Sequence, residues 1–237
     1  MLIGQDTAPL GQLQDSITRT MMAASPKYCH QLCHLTAAIG AFALRDLTHE
    51  SWDIGAGSIS VRVAEPDNSG FPPWRLEMDF NSAENKAAQA EGRIDEFHAW
   101  NILVGDVEPG TVIDESNDHE IIVVDFAAIW WPSSCKEMGV PCNRVDLPAV
   151  VCGHPNALAV VKDLAYIPEP GLTQQIIPPN VSSIRALIPL WREIAQQSGL
   201  YADDFGQRLH EDILQRCVDG CLTSCKTQTP QETLANA

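Results

Sequence analysis

Apolar residues recur at helical intervals early in the chain, switch to a two-residue alternation, and return to helical intervals near its end. That change of period narrows the architectures open to it. Leu13, Ile17, Met21 and Ala24 fall four, four and three residues apart, one stripe along a helix over Gly11–Ala24. Ser25 and Pro26 then supply an N-cap and a first helical position for a second helix, Lys27–Leu47, rich in Leu and Ala and poor in β signals. Ser58–Val63 and Trp74–Phe80 alternate polar with apolar and are bounded by Gly, Pro, Asn or Asp, which predicts two strands. Glu65–Pro73 between them is turn-rich, and Asn81–Gly92 is polar and Ala-rich, a loop or a short exposed helix. Phe97–Val104 and Glu120–Phe126 predict two further strands. The second is an apolar run short enough to be central in a sheet, and the acid-rich Gly105–His119 between them is a surface excursion. From Trp131-Pro132 through Pro179 no period dominates. Ser182–Gln197 and Tyr201–Cys225 are helical again, with Ile184, Leu187, Ile188 and Trp191 on one face of the first. Helices, then antiparallel-type strands, then helices predict an α+β fold: an antiparallel sheet against an N-terminal helix in a core over 1–179, with a helical C-terminal extension over 180–237.

Charge and composition then exclude several function classes. Lys and Arg number 15 against 31 Asp and Glu, a net charge of −16, so the clustered cations that neutralise a nucleic-acid backbone are missing. Nothing approaches the roughly 20 uninterrupted apolar residues of a membrane span, and Met1–Thr20 has no secretion-signal pattern. The expectation is a soluble, cytoplasmic protein with no nucleic-acid or membrane partner. Its eight cysteines are too sparse for a disulfide scaffold and, in a reducing compartment, stay thiols: buried fillers, metal ligands or nucleophiles.

One combination of residues carries chemistry: a cysteine in the early helix, His98 on one strand and Asp125 on the next. A thiol becomes a nucleophile at neutral pH when an imidazole takes its proton and a helix N-terminus stabilises the anion, and a carboxylate fixes the imidazole's tautomer. Neighbouring antiparallel strands lie about 4.8 Å apart, close enough for a His and an Asp on the same face to bond directly.

The sequence Cys33-His34-Leu35-Thr36-Ala37, leading through Ala43-Leu44-Arg45 to Gly57-Ser58-Ile59, then His98-Ala99-Trp100 and Val123-Val124-Asp125-Phe126, resembles the transglutaminase-like branch of the papain-like cysteine enzymes. The resemblance covers roughly Lys27 to Ala128. It implies a nucleophile-bearing helix packed on an antiparallel sheet, with Cys33 as nucleophile, His98 as general base and acid, and Asp125 as orienting carboxylate. The implied activity is acyl transfer or amide hydrolysis on an amide- or peptide-containing substrate, with no cofactor. Two departures stand out. His98 and Asp125 are 27 residues apart, longer than the family's compact hairpin, and Cys29 sits one turn before Cys33 as a competing thiol, nearer the start of a helix beginning at Pro26. The 24 residues from Cys33 to Gly57 resemble the family spacing and favour Cys33.

The alternatives are structural. Each of Cys33, His98 and Asp125, taken singly, reads as a buried filler, a satisfied strand histidine and a strand-end carboxylate. His30 and His34 read as an exposed helix face, Gln31 is an awkwardly placed oxyanion donor, and Asp114 and Asp118 are loop acids. Trp130-Trp131 walls a cleft or anchors the core. Cys217, Cys221 and Cys225, with His210 before them, repeat as a helix face that spreads along about 12 Å of rise, too far to wrap one ion. Cys135, Cys142, Cys152 and His154 lack paired zinc spacing. Phosphate-loop, dinucleotide, zinc-protease and serine-elbow signatures are absent from the sequence. The rival to an enzyme is a non-catalytic acidic binding domain of the same fold, and after it a Cys-rich metal-binding protein.

Overall fold

A computed structural model describes residues 8–27, 32–65, 75–104 and 121–227. The fold is α+β, as the change of period predicts. Two helices open it, α1 (Pro9–Ala24) and α2 (Cys33–Thr48), followed by β1 (Trp52–Arg62), β2 (Arg75–Met78), α3 (Ala83–Ala90), β3 (His98–Val104) and β4 (Ile121–Asp125). A 3-10 turn, Phe126–Trp130, leads into α4 (Trp131–Met138), β5 (Val151–Gly153), α5 (Pro155–Lys162), β6 (Leu164–Pro168), α6 (Leu172–Ile176), α7 (Val181–Gln197) and α8 (Phe205–Thr227). The aperiodic stretch after Trp131 thus holds five short elements, each too brief to impose a readable period. Asn81–Gly92 resolves as the helix α3, capped by the Ser82 side chain, which accepts from Asn85 N–H.

The strands form one antiparallel sheet in the order β2-β1-β3-β4-β5, with β6 also paired to β1. β4 lies inside the sheet between β3 and β5, and its apolar run serves both faces. Ile122 and Val124 pack with α1, α2, α7 and α8 on one side, while Val123 joins Trp100, Trp131, Val151 and Tyr166 on the other. The larger cluster unites Leu13, Ile17 and Met21 of α1, Ile39 and Leu44 of α2, Leu187 and Trp191 of α7, and Leu209 and Ile213 of α8. Among the described residues no helix is long and apolar enough to cross a membrane.

The second helix begins later than its sequence suggests. Ser25-Pro26 ends α1 instead of starting α2: Ser25 has left helical geometry (φ −149°, ψ 73°), and its N–H closes back on Met21 O at 2.9 Å. A residue before proline is driven out of the helical region, so the same pair of residues that can open a helix here stops one. Helix α2 starts at Cys33 after Leu32, with no side-chain cap, and its first described turn bond runs from Thr36 N–H to Leu32 O at 2.9 Å. It stops at His49, left-handed at φ 61°, whose N–H bonds Arg45 O.

Candidate active site

Helix α2 places Cys33 at its first residue, the end at which a helix dipole is positive. The electrostatic argument that favoured Cys29 therefore applies to Cys33, while Cys29 itself, with His30 and Gln31, lies outside the described residues. So do Asp114 and Asp118.

His98 opens β3 and Asp125 closes β4. Asn101 pairs with Val124, so Asp125 falls beside Trp100, and His98 sits two residues further along β3 on the same face. That diagonal is within reach of an imidazole. His98 Nε2 and Asp125 Oδ2 are 2.7 Å apart with both side chains essentially out of solvent. The other carboxylate oxygen accepts Ala127 N–H at 2.8 Å, making Asp125 the cap of the 3-10 turn, and Tyr166 of β6 donates its hydroxyl to Oδ2 at 2.8 Å. Three donors thus hold a buried carboxylate that would otherwise be costly. Burial and the neighbouring Asp125 charge push the Tyr166 phenol well above its usual range, so it stays a donor.

With Nε2 committed to Asp125, His98 Nδ1 is the nitrogen left to serve the thiol, and it is buried without a strict hydrogen-bond partner. The Cys33 thiol is directed at Phe97 O, 3.8 Å away. Contact with His98 is therefore looser than an ideal hydrogen bond. The two groups still act on each other. Burial alone would push the Cys33 thiol up; hydrogen bonding and charge from His34 and His98 outweigh it and lower the thiol from 9.0 to about 7. Burial alone would pull His98 down, yet the charge and hydrogen bond of Asp125, then Cys33, raise it from 6.5 to about 10. At neutral pH this favours thiolate beside imidazolium.

Asn101, 0% exposed, sets the helix against the sheet by donating to Ala37 O, one turn beyond Cys33, at 2.6 Å. A cleft of about 180 Å³ opens over the site, bounded by Cys33, His98, Phe97, Trp130 and Met138. Both tryptophans line it, and Trp131, 1% exposed, belongs to the core as well, so this pair walls the cleft and anchors the sheet.

The other cysteines are placed differently. Cys135 is buried against Cys142, and burial with that neighbour pushes it up to about 12. Cys152 is raised by its hydrogen bond to Cys217 and by burial, while Cys217, lowered by that bond, is 3% exposed in the helical core. The side chains of Cys221 and Cys225 fall outside the described residues. Among the described residues no group of three or more His, Cys, Asp or Glu is disposed to hold a metal ion.

Tyr166, Asn101 and His34 are the site residues that sequence reasoning missed. Tyr166 and Asn101 carry no local signal, since their partners lie 41 and 64 residues away. His34 has one, its adjacency to Cys33, a pattern that an exposed helix face shares.

No family model matches the chain, and no curated protein matches it. A solved structure described as "The crystal structure of genomics APC5867" overlays with a TM-score of 0.45 at 14% identity, covering 83% of this chain and 80% of that one. A likeness at that level carries no argument about what this chain does.

Proposed function

We propose that the protein is a thiol-dependent acyl-transfer enzyme, an amidase, peptidase or transglutaminase-like transferase, working through Cys33, His98 and Asp125. The observation that carries this reading is the buried His98–Asp125 pair at 2.7 Å, which leaves Nδ1 unpartnered beside a half-buried thiol at a helix N-terminus. Fillers and strand-end carboxylates do not require that combination.

In the first step the Cys33 S–H proton passes to His98 Nδ1, and the sulfur attacks an amide carbonyl carbon to form the C–S bond. The carbonyl π pair moves to oxygen, and the oxyanion is met by backbone N–H groups of the first turn of α2, such as that of Cys33. When the tetrahedral species collapses, the C–N bond breaks and the leaving amine takes the proton from His98. Water or an amine then gives its proton to His98 and attacks the thioester, and sulfur departs as thiolate. Asp125 holds the ring and balances its positive charge throughout, and Tyr166 and Ala127 hold Asp125.

Acyl-enzyme capture tests the proposal. The full chain is incubated with a library of glutaminyl and other amide peptides, with and without a labelled alkylamine, and Cys33 adducts are read by mass spectrometry. The expected result is an acyl mass on Cys33 in the wild type, absent in Cys33→Ala and at least about 100-fold less abundant in His98→Gln, the scale of a lost general base. Alkylation of Cys33 by iodoacetamide no faster than that of Cys142 would overturn the reading.

A further inference from the structure

Among the described residues, two imidazole nitrogens are buried with no hydrogen-bond partner: Nδ1 of His98 and Nδ1 of His34. The mechanism uses only the first. His34 is the second residue of α2, and its ring packs on Phe97 at a centroid distance of 5.9 Å, tilted by 48°. Phe97 is also the residue whose carbonyl faces Cys33 Sγ, so His34, Phe97 and Cys33 form one contiguous patch at the mouth of the helix. A ring nitrogen kept from water with nothing to bond is an arrangement that folded proteins avoid unless a partner arrives in some working state.

The Cys33 sulfur, on the adjacent residue and against the same Phe97, lies beside it. A thiol is a poor acceptor and a thiolate a strong one, so the bond becomes worth making when Cys33 ionises. His34 acts on the Cys33 thiol in the direction that lowers it.

We propose that His34 is a second thiolate-stabilising residue of this site, donating a ring N–H to the Cys33 sulfur, so that the anion is held between two imidazoles with different duties. This rests on the acyl-transfer reading of the site only for its purpose, and its test does not need a substrate. The proton accounting is simple: the S–H bond breaks, the N–H bond forms on His98 Nδ1, and the His34 N–H stays intact while sharing its hydrogen with sulfur. His98 moves protons; His34 holds charge. The same bond assists when sulfur leaves the thioester as an anion.

The test is the pH profile of Cys33 alkylation by iodoacetamide in the full chain, read at the Cys33 peptide by mass spectrometry. His34→Phe keeps a flat ring against Phe97 but has no N–H, and His34→Gln restores a donor. The expected result is a midpoint about one pH unit higher in His34→Phe, about tenfold slower alkylation near neutrality, with part of the shift recovered in His34→Gln. Coincident profiles for wild type and His34→Phe would overturn the proposal, whatever the enzyme does. A low midpoint that depends on His34, in a protein that forms no acyl-enzyme, would retire the enzyme reading and leave this one standing. Should His34→Phe not fold, ring nitrogen–proton NMR of the wild type before and after Cys33 alkylation decides it, with His34→Gln assigning the signal. Loss of the thiolate moves the His34 resonance if the bond exists; an unmoved resonance overturns it.

Discussion

Tyr166 and His98 reach the same oxygen of Asp125, a carboxylate with no access to water. Tyr166→Phe removes one donor to a buried charge, so we expect a loss of about 1.5–3 kcal/mol by urea denaturation, together with slower Cys33 alkylation. His98→Gln is harsher, because it leaves the carboxylate without its cationic partner; about 3–5 kcal/mol is the scale for one member removed from a buried pair. On the proposed mechanism, the pH dependence of turnover follows from the same two groups. Below about 7 Cys33 regains its proton and the nucleophile is lost, and above about 10 His98 loses the proton it must give the leaving amine. The kcat/KM profile should therefore rise through about 7 and fall through about 10, as two limbs that belong to the coupled pair. A single rise near the ordinary thiol value of 9.0 would contradict it. Cys33, His98 and Asp125 could be proposed from residue order and local context. Tyr166 could not, because it comes to Asp125 through the pairing of β6 with β1, which no local pattern announces.

The beginning of α2 sets where Cys33 falls along its helix, and there local rules misled. Ser25-Pro26 satisfies the signals for opening a helix and for closing one, and in the structure it closes one. Moving the start to Cys33 converts a thiol one turn and more inside a helix into one at its positive end. The seat of α2 on the sheet is equally demanding. At Gly40 an added Cβ would overlap Asn101 Oδ1 and lie 2.7 Å from the Phe126 ring, and Asn101 cannot yield because its amide is tied to Ala37 O. Gly40→Ala gains helix propensity of about 1 kcal/mol, but overpacking costs about 1–3 kcal/mol or more. We expect net destabilisation by urea titration, and slower Cys33 alkylation as the helix is levered off β3.

Across the whole molecule, helices from both ends of the chain build one core. Trp191 of α7, 0% exposed, meets Phe42 of α2 edge-on at 5.6 Å and Tyr201 at 6.0 Å, inside the cluster that also holds α1 and β4. Trp191→Ala should cost about 3–5 kcal/mol, and far-UV dichroism and Cys33 reactivity should change together along the denaturant series, as they must in one cooperative unit. Two separate transitions would instead support an independent helical extension over 180–237. Hydrophobic patterning, segment length and residue type by themselves determined the α+β class, the long helices and four of the strands, because each of these segments matches one kind of element whatever it packs against. Residue order also singled out the three side chains of the site. The true start of α2, the short elements between Trp131 and Pro179, and the roles of Tyr166, Asn101 and His34 were decided only by tertiary structure, since each depends on atoms brought close by strand pairing and helix packing, not by neighbours in the chain.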